Sequence, residues 1–176
     1  MDVFVKEIHA RKTTAFLDIV ETLPLRPGIR RFMDEIDKAG IPMGICTTSN
    51  EKVAHVIAGK ILKGISFSVI IAGDMVSKKK PDPEIYITAL EKLKVKPSEC
   101  LVVEDSNIGV RAAKAAGCNV LATYSGYTQD EDLSPADIIA SCLGDEEGEK
   151  AEFVKIPVQM QKEGVISLPD IMKLFS

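Results

Sequence analysis

Three clusters of polar residues, each beside an apolar run, could do chemistry together: Cys46-Thr47-Thr48-Ser49-Asn50, Lys79-Lys80-Pro81-Asp82-Pro83 and Val102-Val103-Glu104-Asp105-Ser106. Thr47 closes a strand-like run and Thr48-Ser49-Asn50 opens a helical one. Hydroxyls and unpaired backbone N–H groups can meet an anion there, phosphate above all. Lys80, stiffened by Pro81 and Pro83, is an ammonium able to neutralise a transferring phosphoryl group. Glu104 and Asp105 follow an apolar strand. Adjacent carboxylates are costly at the mouth of a site unless a cation neutralises them, and their hard oxygens suit Mg²⁺. Each cluster also has a plainer reading: Ser49 or Asn50 as a helix cap, Lys78 to Lys80 as a solvated lysine run, Glu104-Asp105 as an exposed turn capped by Ser106. Their order favours a shared site, since Thr47, Lys80 and Glu104 lie 33 and 24 residues apart with helix and strand patterns in each interval.

The elements that must position these residues follow from apolar periodicity. Val5, Ile8, Phe16, Ile19 and Val20 fall at helical spacing, predicting an amphipathic helix from about Phe4 to Thr22. Leu23 to Gly28 reads as a hinge, and Ile29 to Ala39 as a second helix closed by Gly40. Short strands are expected at Pro42 to Cys46, Phe67 to Ala72, Leu101 to Val103, Asn119 to Thr123 and, last, Ala136 to Ala140. Helices are expected at Glu51 to Leu62, Pro83 to Leu93 and Ile108 to Ala116. Beyond them lie a solvated acidic loop, Asp145 to Glu149, an extended arm, Phe153 to Met160, and a short helix capped by Ser167. Strands alternating with helices argue for a three-layer α/β fold with a parallel sheet covered on both faces. In such a sheet ligands collect beyond the carboxyl ends of the strands, where all three clusters sit.

Composition narrows the function. A chain of 176 residues, 45% hydrophobic, can bury one core. The net charge of −4 without a basic stripe argues against nucleic-acid binding. Cys46, Cys100, Cys118 and Cys142 form no C-x-x-C pair and read as reduced thiols. With no basic leader and no long apolar run, neither secretion nor membrane contact is expected, and the cytosol or a plastid stroma is the expected compartment. His9 and His55 are isolated, which disfavours zinc. No G-x-G-x-x-G or G-x-x-x-x-G-K-[ST] points to a nucleotide.

The three clusters, in this order, resemble the downstream motifs of haloacid dehalogenase (HAD) superfamily phosphatases, in particular the CbbY-like sugar-phosphate phosphatases and their β-phosphoglucomutase relatives. The resemblance covers about Phe4 to Gly144. It implies that Thr47 and the Thr48 N–H grip phosphate, with Ser49 and Asn50 beside them. Lys80 would pair with the phosphoryl group, and Glu104 and Asp105 would hold Mg²⁺, Asp105 directly and Glu104 through water. Arg11-Lys12-Thr13 resembles the end of a helical cap, Leu25-Arg26-Pro27-Gly28 the return to the core, and Ser125-Gly126-Tyr127 a substrate-side loop. The implied organisation is a residual cap helix and hinge at 1–24, a HAD-like core at 25–144 and an extension at 145–176.

In that family a first strand carries two aspartates, one the nucleophile and one the acid/base. No Asp-x-Asp-Gly-Thr segment precedes Thr47. By resemblance the missing strand would lie between those ending at Thr47 and Val103, leaving two apolar edges that favour association, as does the first helix. Two readings therefore stand. One is an N-terminally truncated Mg²⁺-dependent phosphatase of small sugar phosphates, inactive alone. The other is a non-catalytic chain that binds phosphate or Mg²⁺, or docks on a full-length relative.

Overall fold

The computed structural model describes residues 3–175. Helix α1 spans Val3–Ile19 and runs on as a 3-10 turn at Val20–Thr22, close to the helix its periodicity predicts. Val20 is buried at its end, whereas Val5, Ile8 and Ile19 are exposed. The hinge is irregular and leads into α2, Ile29–Lys38. Helix α3 spans Glu51–Val56 and widens into a π turn at Ile57–Ile61, with Leu62 N donating to Ile57 O at 3.1 Å. Helices α4 (Glu84–Leu93), α5 (Asn107–Ala115) and α6 (Leu168–Met172) complete the set.

The strands fall into two sheets. β1 (Gly44–Cys46) pairs in parallel with β2 (Val69–Ile71). β3 (Leu101–Glu104) pairs in parallel with β4 (Asn119–Thr123), and β4 with β5 (Ile138–Ala140). The predicted last strand is therefore present, but it is not the last. β6 (Phe153–Lys155) adds antiparallel to β5, because the arm finds a free edge: Ser141 N donates to Glu152 O at 2.8 Å and leads it into register. Among the described residues no ladder joins β1 to β3.

Apolar residues cover the sheets on both faces. On one, α4 and α5 place Ile85, Leu90, Val110 and Ala113 against Ile71, Val102 and Val120. On the other, Phe32 of α2 and Ile171 of α6 pack with Leu121, Ile138 and Ala140. The result is the three-layer α/β arrangement that the alternating pattern predicts, with a split in its middle layer. A cleft of about 590 Å³ lies between β1 and β3, walled by Gly44 and Cys46 on one side and Leu101 and Val103 on the other. This open side explains a departure from the sequence reading. Pro42 to Cys46 reads as a buried strand, yet Gly44 is exposed, and so is Val103, at 41%. Among the described residues no helix is long and apolar enough to cross a membrane.

Candidate phosphate and metal site

The carboxyl ends of β1 and β3 meet around one ammonium. Lys80 Nζ donates to Cys46 O at 3.1 Å, at the end of β1, and to Glu104 Oε1, at the end of β3. The sequence leaves open whether the lysine run is surface or site, and the loop geometry separates its members. Glu84, in the first turn of α4, accepts from Ser77 N at 2.7 Å and Lys78 N at 2.8 Å. That clamp leaves Lys78 and Lys79 exposed and turns Lys80 inward, its side chain only 8% exposed. The Lys80–Pro81 peptide bond is cis.

Glu104 is the most heavily bonded group of the site. Besides Lys80, its carboxylate accepts from Tyr86 Oη at 2.5 Å, Ser106 Oγ at 3.3 Å and Asp105 N at 3.1 Å. Burial opposes its ionisation, but the Lys80 charge and these donors outweigh burial and hold its pKa below the ordinary carboxylate value. Tyr86 and Gly109 are the residues that the sequence reading missed. The Tyr86 ring lies 4.8 Å from Lys80 Nζ, a cation–π distance, and burial, with the Glu104 charge, raises the phenol's pKa so that it stays a donor. A Cβ on Gly109 would lie 2.0 Å from Glu104 Oε2, so only glycine lets the carboxylate rest against the first turn of α5. A glycine in a helical turn was the available signal for Gly109; for Tyr86 there was none, since a phenol on an apolar helix face reads as core.

Asp105 differs from its neighbour. It is exposed, and desolvation together with the Glu104 charge raises its pKa, tempered by Arg26. Arg26 itself is fixed by donating to Thr123 O at 3.0 Å, Tyr124 O at 2.5 Å and Ser141 O. Among the described residues no group of three or more His, Cys, Asp or Glu is assembled to hold a metal. Asp105 nevertheless fits Mg²⁺, which takes one or two carboxylates and keeps water or phosphate oxygen in its other positions. Its carboxylate, crowded by a like charge, is the kind of group that a cation relieves. Glu104, saturated by its donors, positions Lys80.

The loop after β1 holds the remaining candidates. Thr47 Oγ1 accepts from Ser49 N at 3.1 Å, and Thr47 N donates to Ile71 O at 3.0 Å. Ser49 O accepts from Gly73 N at 2.8 Å, and a Cβ on Gly73 would lie 2.3 Å from Thr48 O, so the loop sits hard against the end of β2. Asn50 Oδ1 caps α3 by accepting from Val53 N at 3.0 Å. Thr47 and Lys80 are thus brought to one place through Cys46, whereas among the described residues no bond joins Ser49 or Asn50 to Lys80, Glu104 or Asp105. Tyr127, in the loop after β4, is 98% exposed. Burial pushes the Cys46 thiol up to about 12, which keeps it neutral and unsuited to nucleophilic attack.

Comparison with known proteins bears on what such a site does. A family model described as haloacid dehalogenase-like hydrolase matches residues 3–117. A CBBY-like protein of Arabidopsis thaliana is 45% identical over 154 residues, which cover 85% of this chain and 48% of that protein. The crystal structure of CbbY from Rhodobacter sphaeroides in complex with phosphate superposes with a TM-score of 0.72 at 35% identity, over 79% of this chain and 64% of that one. A variant of CbbY from the same organism, in complex with xylulose-(1,5)bisphosphate, superposes with a TM-score of 0.70 at 35% identity, over 77% of this chain and 62% of that one. The chain spans about half the length of the Arabidopsis relative and under two thirds of either solved chain.

Proposed function

Because the chain belongs to the haloacid dehalogenase-like hydrolase family, in its CbbY-like subgroup, we propose that it supplies the phosphate-gripping and Mg²⁺-binding part of a phosphatase acting on small sugar phosphates. The observation that carries this reading is the inward-turned Lys80, held between Cys46 O and Glu104 with Thr47 and Asp105 flanking it. In the proposal the Thr47 hydroxyl and the Thr48 N–H orient the phosphoryl group, and Lys80 neutralises charge developing on its oxygens. Asp105 would hold Mg²⁺, which when bound adds electrostatic stabilisation of the phosphoryl oxygens. Glu104, accepting from Lys80 Nζ, keeps that ammonium aimed into the site. The phosphate and xylulose-(1,5)bisphosphate complexes of CbbY support a phosphorylated small molecule as ligand.

The 176 residues contain no Asp-x-Asp-Gly-Thr segment, and Cys46 is neutral. We therefore propose that this chain alone binds phosphate with Mg²⁺ but does not hydrolyse phosphomonoesters, the aspartate nucleophile belonging to a segment outside it. Titration calorimetry with inorganic phosphate and Mg²⁺ tests the binding, beside Asp105→Ala, an exposed position whose replacement should leave the fold intact. Mg²⁺-dependent phosphate binding that Asp105→Ala abolishes is expected. Phosphate binding indifferent to both, or none in the folded protein, overturns the site. Mg²⁺-dependent turnover of p-nitrophenyl phosphate by the chain alone would show that a nucleophile had been overlooked.

A further inference from the structure

Two of the free cysteines lie side by side at the amino ends of neighbouring strands. The ladder between β3 and β4 pairs Leu101 with Asn119, so one residue earlier Cys100 stands opposite Cys118. Asn119 N donates to Cys100 O at 3.0 Å, which carries the pairing back to that position. Gly117, with φ of +83°, follows the end of α5 in the left-handed conformation and turns the chain toward β4, bringing Cys118 alongside. Neighbouring strands of a ladder lie about 4.8 Å apart, and opposed residues send their side chains to the same face. That spacing falls inside the range of roughly 4.4–6.8 Å between Cα atoms that a disulfide spans. Both side chains pack with the apolar cluster that contains Ala89, Val110 and Val120. The two thiols are unequal. Cys118 is buried, whereas Cys100 is half-buried and lines the cleft between β1 and β3 beside exposed Glu99. The Cys118 thiol bonds to the Cys100 sulfur and draws the pKa of Cys100 below the ordinary thiol value against the effect of burial. The same neighbour, with burial, raises that of Cys118. Of the other two, Cys46 is kept neutral by burial, and Cys142 packs on the opposite face of the sheet with Phe32 and Leu121.

We infer that Cys100 and Cys118 are a redox-modification site, a dithiol that a small peroxide converts reversibly into a disulfide within the chain. The inference goes beyond the phosphate site and does not depend on it. Cys100, the more reachable thiol, reacts first: its thiolate attacks one peroxide oxygen, the O–O bond breaks, and the other oxygen leaves as water after taking up a proton, with Cys100 oxidised to the sulfenic acid. Cys118 then attacks the Cys100 sulfur. The S–S bond forms as the S–O bond breaks, and the departing hydroxide takes the Cys118 proton and leaves as water. Two thiols have then given two electrons to one peroxide, which is reduced to two waters. A dithiol reductant reverses the change and is itself left as a disulfide. A resolving thiol held against the Cys100 sulfur favours this course over further oxidation to the sulfinic acid. The bond closes the loop from β3 to β4, which carries Glu104, Asp105 and Gly109, and does so at the end of the strands away from Lys80.

Hydrogen peroxide added to the reduced, folded 176-residue protein, followed by thiol counting in urea and by mass spectrometry, tests the inference. The count should fall from four to two, with the loss of two hydrogens, no dimer on a non-reducing gel, and recovery of all four thiols with dithiothreitol. The double variant Cys46→Ala with Cys142→Ala, which keeps only the pair, should fall from two thiols to none at a rate within about twofold of the parent. Cys100→Ser, at a half-buried position, should lose thiols at least tenfold more slowly. Cys118→Ala should form no disulfide and should be labelled at Cys100 by dimedone, which traps sulfenic acid, at least tenfold more than the parent. A count that stays at four in the folded parent, a disulfide that survives Cys118→Ala or Cys100→Ser, one that forms only between chains, or thiols that dithiothreitol does not restore each overturn the inference.

Discussion

Lys80 and Glu104 form a buried ion pair, each side chain 8% exposed, that joins the end of the α4 loop to the end of β3. Such a pair contributes little compared with apolar residues of the same size, but breaking it by removing one partner leaves an uncompensated buried charge. Glu104→Ala should therefore lower stability by about 3–5 kcal/mol. The double substitution Lys80→Met with Glu104→Leu should recover most of that loss. Urea melts of the single and double variants measure the coupling, and a double variant no more stable than Glu104→Ala alone would show that the pair does not account for the loss.

Tyr86 offers a finer probe of the same cluster. Tyr86→Phe keeps the ring 4.8 Å from Lys80 Nζ and removes only the hydroxyl that donates to Glu104 Oε1 at 2.5 Å. A hydrogen bond to a charged group contributes about 1.5–3 kcal/mol, so the variant should lose stability in that range while its spectrum and fold are preserved. An unchanged urea midpoint would remove Tyr86 from the network.

The part of this site that was legible in the sequence is the part written in strand ends and turn residues. An apolar run ending in Thr47, another ending in Glu104, and Pro81 and Pro83 around Lys80 mark where loops leave a parallel sheet. The separation of Lys80 from Lys78 and Lys79 was not legible, because it depends on Glu84 reaching back to the backbone of Ser77 and Lys78. Nor was the difference in surroundings between Glu104 and Asp105, which follows from three-dimensional partners that adjacent residues do not share. Periodicity predicts most of the helices, whereas Phe153-Val154-Lys155 is too short to show alternation and reads in the sequence as part of an arm. Its strand character comes from the edge of β5.

Acid stability should report two carboxylates. Glu104 and Asp170 both ionise below their ordinary values of 4.5 and 3.8. Burial opposes both charges; Lys80 outweighs it at Glu104, and donors from Ser167, Lys173 and Gln161 outweigh it at Asp170. As pH falls the unfolded chain takes up these protons first, so the stability they contribute is complete above about pH 4.5 and is lost as pH drops through the lower folded values. Their contribution to the urea midpoint should be the same at about pH 7 and about pH 5.5 and should fall steeply near about pH 3. In Asp170→Asn the fall between those conditions should be smaller, and an equal fall would assign acid sensitivity to other groups.

Glycine at position 109 sets a last test, because helix propensity and site geometry oppose each other there. Within a helix, alanine is ordinarily favoured over glycine by about 1 kcal/mol. At Gly109 the added Cβ would sit 2.0 Å from Glu104 Oε2 and 2.1 Å from its carboxyl carbon, so the carboxylate must leave its place between Lys80, Tyr86 and Ser106. The displaced group cannot move deeper, since Val110, Ala112 and Ala113 are fully packed. Gly109→Ala should therefore destabilise the chain despite the better helix former, and weaken phosphate binding by disturbing Lys80. Gly126→Ala, where nothing lies within 4 Å of the new Cβ, is the control and should change the melting temperature little. Thermal melts of the two variants decide the matter: a Gly109→Ala protein as stable as the control would mean that Glu104 is free to relocate and that Lys80 is positioned by other contacts.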